Sequence, residues 1–419
     1  MATILQNAFN NIGDIAPEAM DVLQNNLTFS RTVSHKYSKA WESAGGRIGD
    51  TYNIRIPGYY GRVAGSAAVP TGYNDVPVPV TLKQYNSSIY FSDFQMRLNV
   101  DEMRKNVLEP LLEPLWEGMD ADGIALYSGI NQFAGTPGTA IVNQTPFLNG
   151  KATMAVQSAK PQGRDCNGLL NPFMEASMVG AFPGMFNPQS QLGEDIVKGE
   201  ISGTYSGVKY FSTANLPTFT LGTWGTSNPV VAVTTGATDG GSSFNTTGWA
   251  SGASTLNAGD CFTIAGVYAF NPANRQATGT LKQFTVLNKV SDTAGAITIS
   301  VYPNMYLTGP NQNVTALPVS GSSVYMWSAD GTAPILTSTG KVSPTSLLFY
   351  EDAFTLATAD LESIDDLGGK SVRIKDKRTG INLRLSKWWD GMGGQQLIRA
   401  DILYGWAMPR PGFACRIVS

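Results

Sequence analysis

Hydrophobic and polar positions follow different periods along this chain, and the period changes from zone to zone. In residues 14–43, Ile15, Ala19, Val22 and Leu23 recur at helical spacing, with Asp14 placed to cap the first turn and Pro17 and Glu18 inside it. That pattern predicts a helix followed by a less regular arm. Over residues 49–98 the period drops to two: "GDTYNIRIPGYY" and "PVPVTLKQYNSSIYFSDFQM" alternate apolar with polar around the small, polar "GRVAGSAAVPTGYND". A long two-stranded hairpin with a mobile tip is predicted. Two strands alone are marginally stable in water, so such a hairpin calls for another surface, which a neighbouring chain would supply.

Residues 99–130 return to helical spacing, with Val100, Met103, Val107 and Leu108 on one stripe and Leu111, Leu112, Leu115, Met119 and Ile124 on the next. Pro110 and Pro114 interrupt this run, so a kink or a short first helix is predicted, with the main helix over about 112–129. Residues 131–215 read as α/β, with helices in "KATMAVQSAKPQ" and "LNPFMEASMVGAF" and a strand in "YSGVKYFSTANLPTFT". Between about 222 and 333 Gly, Ser, Thr, Ala and Val dominate, and strand-length runs recur: "PVVAVTTG", "CFTIAGVYAF", "QFTVLNKV", "AITISVYP", "SVYMWSA". This stretch reads as an all-β unit that interrupts an α/β chain, since alternating strands resume in "SVRIKDKRTGINLRLSKWWDG" and "QQLIRADILYGWAMPRPGFACRIVS". Insertion of this kind is tolerated where the guest's ends lie close together.

Length and composition narrow the class. A chain of 419 residues with 42% hydrophobic, 15% charged and 45 Gly is folded, loop-rich and β-rich, and too long for one core of ordinary size. A net charge of −3 gives the chain as a whole no electrostatic reason to bind nucleic acid. Cys166, Cys261 and Cys415 are far apart and form no CxxC, which suits a reducing compartment and three small buried side chains. The start "MATILQNAFNNIGDIAPEAM" has no signal-peptide pattern, and no run reaches the length of a membrane span, so a cytosolic site of synthesis is expected. Sequons at Asn86 and Asn313 are then chance matches.

Candidate chemistry is sparse. His35 is the only histidine and sits in the N-terminal arm, which leaves no His-based triad or His-rich metal site. Asp120 with Asp122, and Glu362 with Asp365 and Asp366, form acidic pairs whose bland reading is a solvated helix end or loop. "GGRIGD" at 45–50 lacks the strand and helix that a dinucleotide loop requires and reads as a turn. Asp239 matches no known Ca²⁺ loop, and the tandem Trp388 and Trp389 suit packing more than recognition. No cofactor and no catalytic residue are expected.

The order of parts carries more. "LNVDEMRKNVLEPLLEPLWEGMDADGIALY", "LLNPFMEASMVGAF" followed by "SGVKYFSTANLPTFTLGTWG", "LNAGDCFTIAGVYAFNPANRQATGTLKQFTVL" and "RADILYGWAMPRPGFACRIV" follow one another over almost the whole chain. In that order they resemble the spine-helix region, the helix and strand before an insertion, an inserted-domain strand pair and the closing strands of tailed-phage major capsid proteins. The family is the HK97 fold, in the short-tailed, lambda-related podophage branch with an inserted I-domain. The resemblance implies an α+β fold with N-arm, E-loop, spine helix, P-domain and A-domain, and an inserted all-β, barrel-like I-domain. It implies an N-terminal arm over 1–48, an extended loop over 49–98 and a spine helix over 99–130. A first peripheral and axial part would run over 131–221, the inserted domain over 222–333, and the second axial and peripheral part over 334–419.

The function it implies is a structural one. Pentamers and hexamers of the chain would close an icosahedral head shell around packaged double-stranded DNA, held non-specifically, with no enzyme activity and no membrane. Expected partners are a scaffolding protein, a portal protein and a decoration protein, with assembly in the host cytoplasm and residence in the virion. Arg62, Lys83, Arg275, Lys282 and Asp292 are the candidate inter-subunit contacts, and Arg31, Lys36 and Lys39 the candidate scaffold contacts. The rival reading is a secreted or surface β-rich binding module, which the free cysteines and the start of the chain oppose.

Overall fold

The computed structural model describes residues 12–36, 49–57, 75–92, 104–141, 143–158, 165–181, 201, 204–205, 207–224, 232–235, 237–329, 340–365, 369–376, 379–390, 393 and 395–419. Along the chain they make helix α1 (Ile12–Asn26), strands β1 (Thr51–Pro57), β2 (Asp75–Thr81) and β3 (Lys83–Ser92), helix α2 (Glu109–Ile124), β4 (Phe133–Gly135), α3 (Thr145–Ser158), β5 (Cys166–Leu170) and α4 (Pro172–Ala181). Short strands follow: β6 (Thr204–Tyr205), β7 (Val208–Ser212), β8 (Thr218–Thr220), β9 (Ala232–Thr235), β10 (Gly241–Thr247) and β11 (Thr255–Leu256). Next come β12 (Cys261–Asn271), β13 (Gln276–Val286), β14 (Val290–Ser291), β15 (Ala296–Met305) and β16 (Val324–Met326). The chain closes with β17 (Val342–Tyr350), β18 (Thr355–Ala359), β19 (Lys370–Lys375), β20 (Asn382–Asp390), β21 (Gln395–Ala407) and β22 (Ala414–Val418). Two compact units result, one from Met1–Ile54, Pro77–Gly123 and Phe354–Pro409, the other from Arg55–Val76, Ile124–Ala353 and Arg410–Ser419.

In the first unit β21 is the organising strand. One edge pairs with β3 over Gln395–Tyr404, and the other with β20 over Gln395–Ile402 and then with β18 over Leu403–Ala407, while β19 lies beyond β20. Period two separates its faces. Tyr404 and Trp406 on one face meet α2: the Tyr404 hydroxyl donates to Asp122 Oδ2 at 2.8 Å and Trp406 Nε1 donates to Met119 O at 3.0 Å. Phe29 stacks on Trp406 with centroids 5.2 Å apart. A Cβ at Gly123 would come within 2.6 Å of Trp406 and 2.8 Å of Phe29, so only glycine admits that approach. On the other face Leu403 and Ala407 join Ile54, Val80, Leu82, Ala357 and Ala359 in a small core.

One carboxylate ties the arm to α2. Asp120 accepts the backbone N–H groups of Thr28, Phe29 and Ser30, each at 2.9 Å, together with the Ser30 hydroxyl. Burial raises its carboxyl, and these donors oppose the rise by stabilising the anion. His35 turns inward as well, with Nε2 at 2.8 Å from Ser30 O. The acidic pair at 120 and 122 is therefore split: Asp120 is buried on its own bonds, whereas Asp122 stays exposed and accepts the Tyr404 hydroxyl.

The second unit holds two sheets. A mixed sheet runs β4–β22–β17–β5–β7–β6, with β8 paired to the first residues of β17. Helix α3 lies against it so closely that a Cβ at Gly150 would meet Ile417, Cys415 and Leu348 within 2.8–3.2 Å. The β-rich stretch forms a six-strand path β16–β12–β13–β15–β10–β9. Phe244, Phe262, Phe284, Ile299, Val301 and Met326 line its core, which also takes in Phe133, Phe219 and Val418 from strands β4, β8 and β22 of the mixed sheet.

Two expectations need correction. The hairpin predicted over 49–98 is shorter: β1 and β2 pair as a two-stranded ribbon, and β3 joins β21 in the five-stranded sheet, because alternation shows a strand's faces and not its partner. Its tip lies outside the described residues. The main helix starts at Glu109 after a π turn over Arg104–Leu108, and ends at Ile124 in a 3-10 turn over Ala125–Gly129, with Pro110 in the first turn and Pro114 inside. The six-strand path runs from β16 to β9 among the described residues, and Phe244 of β10 meets Phe262 of β12 across its core with centroids 6.1 Å apart.

Candidate functional site at the neck of the β-rich stretch

The β-rich stretch leaves the mixed sheet after β8 and returns to it before β17, and the two crossings lie side by side. Leu221 N donates to Lys341 O and Gly340 N to Gly222 O, both at 2.9 Å. Asp260, fully buried, caps this neck. Its carboxylate accepts Asn257 N at 2.7 Å, Gly222 N at 3.1 Å and Trp327 Nε1 at 3.2 Å, so it joins the incoming segment, its own turn and the outgoing end of β16. The backbone closes the same contact, with Trp327 N donating to Cys261 O at 2.8 Å. A side chain at 222 is barred, since a Cβ there would lie 2.3 Å from Thr255 O and 2.6 Å from Asp260 Oδ2.

Beneath the neck lies Arg416 of β22, with no exposed surface. Its guanidinium stands 5.3 Å from the centroid of the Trp327 ring and 5.7 Å from that of Phe219. Nη2 reaches Thr285 Oγ1 at 3.4 Å and lies against Cys261 Sγ, while Nε and Nη1 have no hydrogen-bond partner. The indole of Trp327 thus meets a cation on its electron-rich face and an anion at its N–H edge, each the favourable polarity for that part of the ring. Among the described residues no cation is in ion-pair contact with Asp260. Burial accordingly pushes its carboxyl up to about 6, with the three donors and Arg416 pulling the other way. Burial also raises the Cys261 thiol, against the pull of Arg416. No exposed nucleophile, no acid and base across a cleft, and no open polar pocket is present here: the cluster fastens segments.

The residues singled out from sequence fall elsewhere. Arg275 Nη2 donates to Gln312 Oε1 at 3.0 Å and Nη1 to Gly309 O at 3.3 Å, so it latches the β12–β13 turn to its own neighbouring loop. Asp292 accepts Gly252 N at 2.8 Å and Gly295 N and Ser254 N at 3.1 Å, donors that hold its carboxyl below the usual range. Lys282 is a correction: expected at a contact with a neighbouring subunit, it lies in β13 with 5% of its surface exposed, because its parity puts it on the inward face with Phe284. Burial lowers its ammonium to about 8. Lys83 is exposed on β3, Arg31 and Lys36 are exposed in the arm, and Arg62 and Lys39 lie outside the described residues. Asp239 accepts Thr308 Oγ1 at 2.7 Å and Leu307 N at 2.8 Å, a loop bond. Trp389 is 53% exposed, whereas Trp388 packs over Gly369.

Sequence reasoning quoted "AGD" at 258–260 without giving it a role, and missed Gly222, Trp327 and Arg416. Residues 219–415, just under half of the chain, match the family model of the P22 coat protein, gene protein 5. The match takes in Phe219, Gly222, Asp260 and Trp327 and stops one residue before Arg416. The chain is a phage major capsid protein. As such it is a structural component of the virion, and its fold is α+β.

Among solved structures this major capsid protein is similar to the capsid of Ralstonia phage GP4, with 9% identity over 94% of this chain and 88% of that chain and a TM-score of 0.43. The mature capsid of bacteriophage PhiM1 gives 7%, 94%, 86% and 0.41, and a chain from Mycobacterium phage Che8 gives 9%, 94%, 91% and 0.40. Likenesses at such identities and scores add nothing to the family match. No curated protein sequence matches. No helix among the described residues is long and apolar enough to cross a membrane.

Proposed function

We propose that this major capsid protein builds an icosahedral head shell around packaged double-stranded DNA in the manner of the short-tailed, lambda-related phages, with residues 222–333 as an inserted I-domain. The observation that carries this is the coat-protein match itself, which spans the β-rich stretch and most of the closing strands as one piece. Its role is structural and not enzymatic. The proposed parts are an arm over 1–48, an extended loop over 49–98, a spine helix over 99–130, and peripheral and axial parts over 131–221 and 334–419. The β1–β2 ribbon supports the assembly reading, since two paired strands are marginal on their own and gain stability by lying on another surface.

Partners follow from the same reading: further copies of the chain as pentamers and hexamers, a scaffolding protein meeting the arm near Arg31, Lys36 and Lys39, a portal protein, a decoration protein, and DNA held without sequence preference. Lys83, exposed on β3, and Arg62 remain the proposed inter-subunit contacts. Arg275 and Asp292 contribute by shaping the loops that would meet a neighbour. Negative-stain microscopy of protein expressed with its scaffolding protein tests the proposal. Closed shells are expected, and deletion of residues 60–75 is expected to leave a folded subunit that assembles poorly. A monomer that never assembles, or shells of normal size from the deletion variant, would overturn the reading or the loop's part in it, respectively.

A further inference from the structure

The outward face of α3 is apolar where a surface helix is ordinarily polar. Its inward side, with Phe147, Gly150 and Met154, packs on the mixed sheet, yet Leu148, Ala152 and Val156 repeat at i, i+4 and i+8 on the exposed side. Between this helix and the β12–β13 hairpin lies a groove of about 590 Å³, lined by Ala152, Val156 and Gln157 of α3, Tyr268 and Leu281 of the hairpin and Tyr325 of β16, among others. None of the described residues that line it is charged. β12 shifts register between Thr263 and Tyr268 around Gly266, at φ +80°, a bulge of the kind that bends a strand. Gln157 is more than nine-tenths buried in the groove: its Nε2 donates to Leu281 O at 3.2 Å, and its Oε1 has no hydrogen-bond partner. A buried carboxamide oxygen in that state calls for a donor from outside.

The same unit carries a matching projection. Phe173, in the first turn of α4, is 79% exposed, with the exposed and uncharged Pro172, Ala176 and Ser177 beside it. This turn is held from its inner side: Phe173 N donates to Asn171 Oδ1 at 3.0 Å, the Ser346 hydroxyl to Met174 Sδ at 3.0 Å and Ile201 N to Glu175 Oε1 at 2.8 Å. The ring is thus presented in a fixed place, so seating it costs little further ordering. We infer that Phe173 of one copy of this chain seats in the groove between α3 and the hairpin of the next copy, where a first-turn N–H of its α4 donates to Gln157 Oε1. Charge identifies the occupant. An uncharged groove has nothing to offer a basic or acidic partner, whereas the chain itself presents an uncharged aromatic knob, and depletion of charge marks the core of a protein interface. Phe173 is not among the groove's own lining residues, so the contact is head-to-tail, and contacts of that kind close rings such as pentamers and hexamers. The inference rests on the assembly reading above and adds to it one specific contact.

Cysteine cross-linking in assembled particles tests it, because Cys166, Cys261 and Cys415 are all buried and leave no native thiol exposed. Ala152→Cys places a thiol in the groove, and Ala176→Cys places one a turn from the knob, which stays intact. Treated with a short bis-maleimide, shells of the double variant are expected to give a ladder from dimer to hexamer on denaturing gels, and either single variant none. Shells without a ladder, a ladder that stops at the dimer, or cross-links to the scaffolding protein instead would overturn the contact and leave the shell reading standing. Wild-type protein that never assembles would overturn both. If the cysteine pair itself prevents assembly, Phe173→Ala decides, with its fold checked by circular dichroism. It should need roughly tenfold more protein to form shells, and assembly at the wild-type concentration would overturn the seating.

Discussion

Lys282 carries its charge with only 5% of the residue's surface exposed. It lies on the inward face of β13 beside Phe284, and burial alone lowers its ammonium from 10.5 to about 8. That difference of roughly 2.5 units, at about 1.4 kcal/mol each, amounts to about 3 kcal/mol by which the folded state is disfavoured while the amine is charged. The sign is fixed by the direction of the shift. Below pH 8 both folded and unfolded chains carry the proton and the full penalty applies. Between 8 and 10.5 the folded chain has released its proton and the unfolded chain has not, so stability rises with pH across that window. Lys282→Met keeps the length of the side chain and removes the charge, so it is expected to stabilise the subunit by about 3 kcal/mol at pH 7. Urea unfolding of wild type and variant at pH 7, 8.5 and 10 measures this. The gap between the two should shrink steadily toward pH 10. A variant less stable than wild type at pH 7, or a gap that does not change with pH, would show that the ammonium is solvated or paired in the folded protein and would refute the assignment of its burial.

Other substitutions probe the remaining contacts. Asp120→Ala strands three backbone donors and the Ser30 hydroxyl, and is expected to lower the stability of the first unit by about 2–3 kcal/mol in urea unfolding. Gly222→Ala drives a Cβ into Thr255 O and the Asp260 carboxylate, with an expected loss of about 1–3 kcal/mol and lowered near-ultraviolet dichroism from Trp327. Arg416→Met fills the space between Phe219 and Trp327 and removes two unpartnered N–H donors, so its thermal midpoint should stay near that of wild type. Arg416→Ala should lose several degrees through the cavity it opens.

Much of the strand content was legible in the sequence because turns and alternation mark strands one at a time. The two halves of "CFTIAGVYAF" and "QFTV" are β12 and β13, and the closing strands lie where the alternation put them. What a single strand cannot reveal is its partner. Lys83–Ser92 alternates as well in a hairpin as in a sheet, and its actual neighbour, β21, is some three hundred residues away. Burial on both faces defeats the pattern in another way. In β13, Gln283 and Thr285 face Asn131, Phe133 and Ser128 while Lys282 and Phe284 face the core of the β-rich stretch, so polar residues are buried on both sides and alternation no longer separates inside from outside.

The neck shows why such residues escape notice and why they are there. Arg416 stands in "ACRIV", every residue of which is buried, so nothing in its surroundings marks it as other than a surface arginine at the end of a strand. Its significance exists only once Trp327 and Asp260, distant in sequence, are brought over it. Apolar residues alone would hold the neck shut but would tolerate a slip of register between the incoming and outgoing segments, because hydrophobic contact has no direction. The carboxylate does have direction: its three donors come from three segments, and a slip of one residue in any of them leaves a buried charge short of a hydrogen bond. The long β-rich stretch is thereby joined to the mixed sheet in a single register.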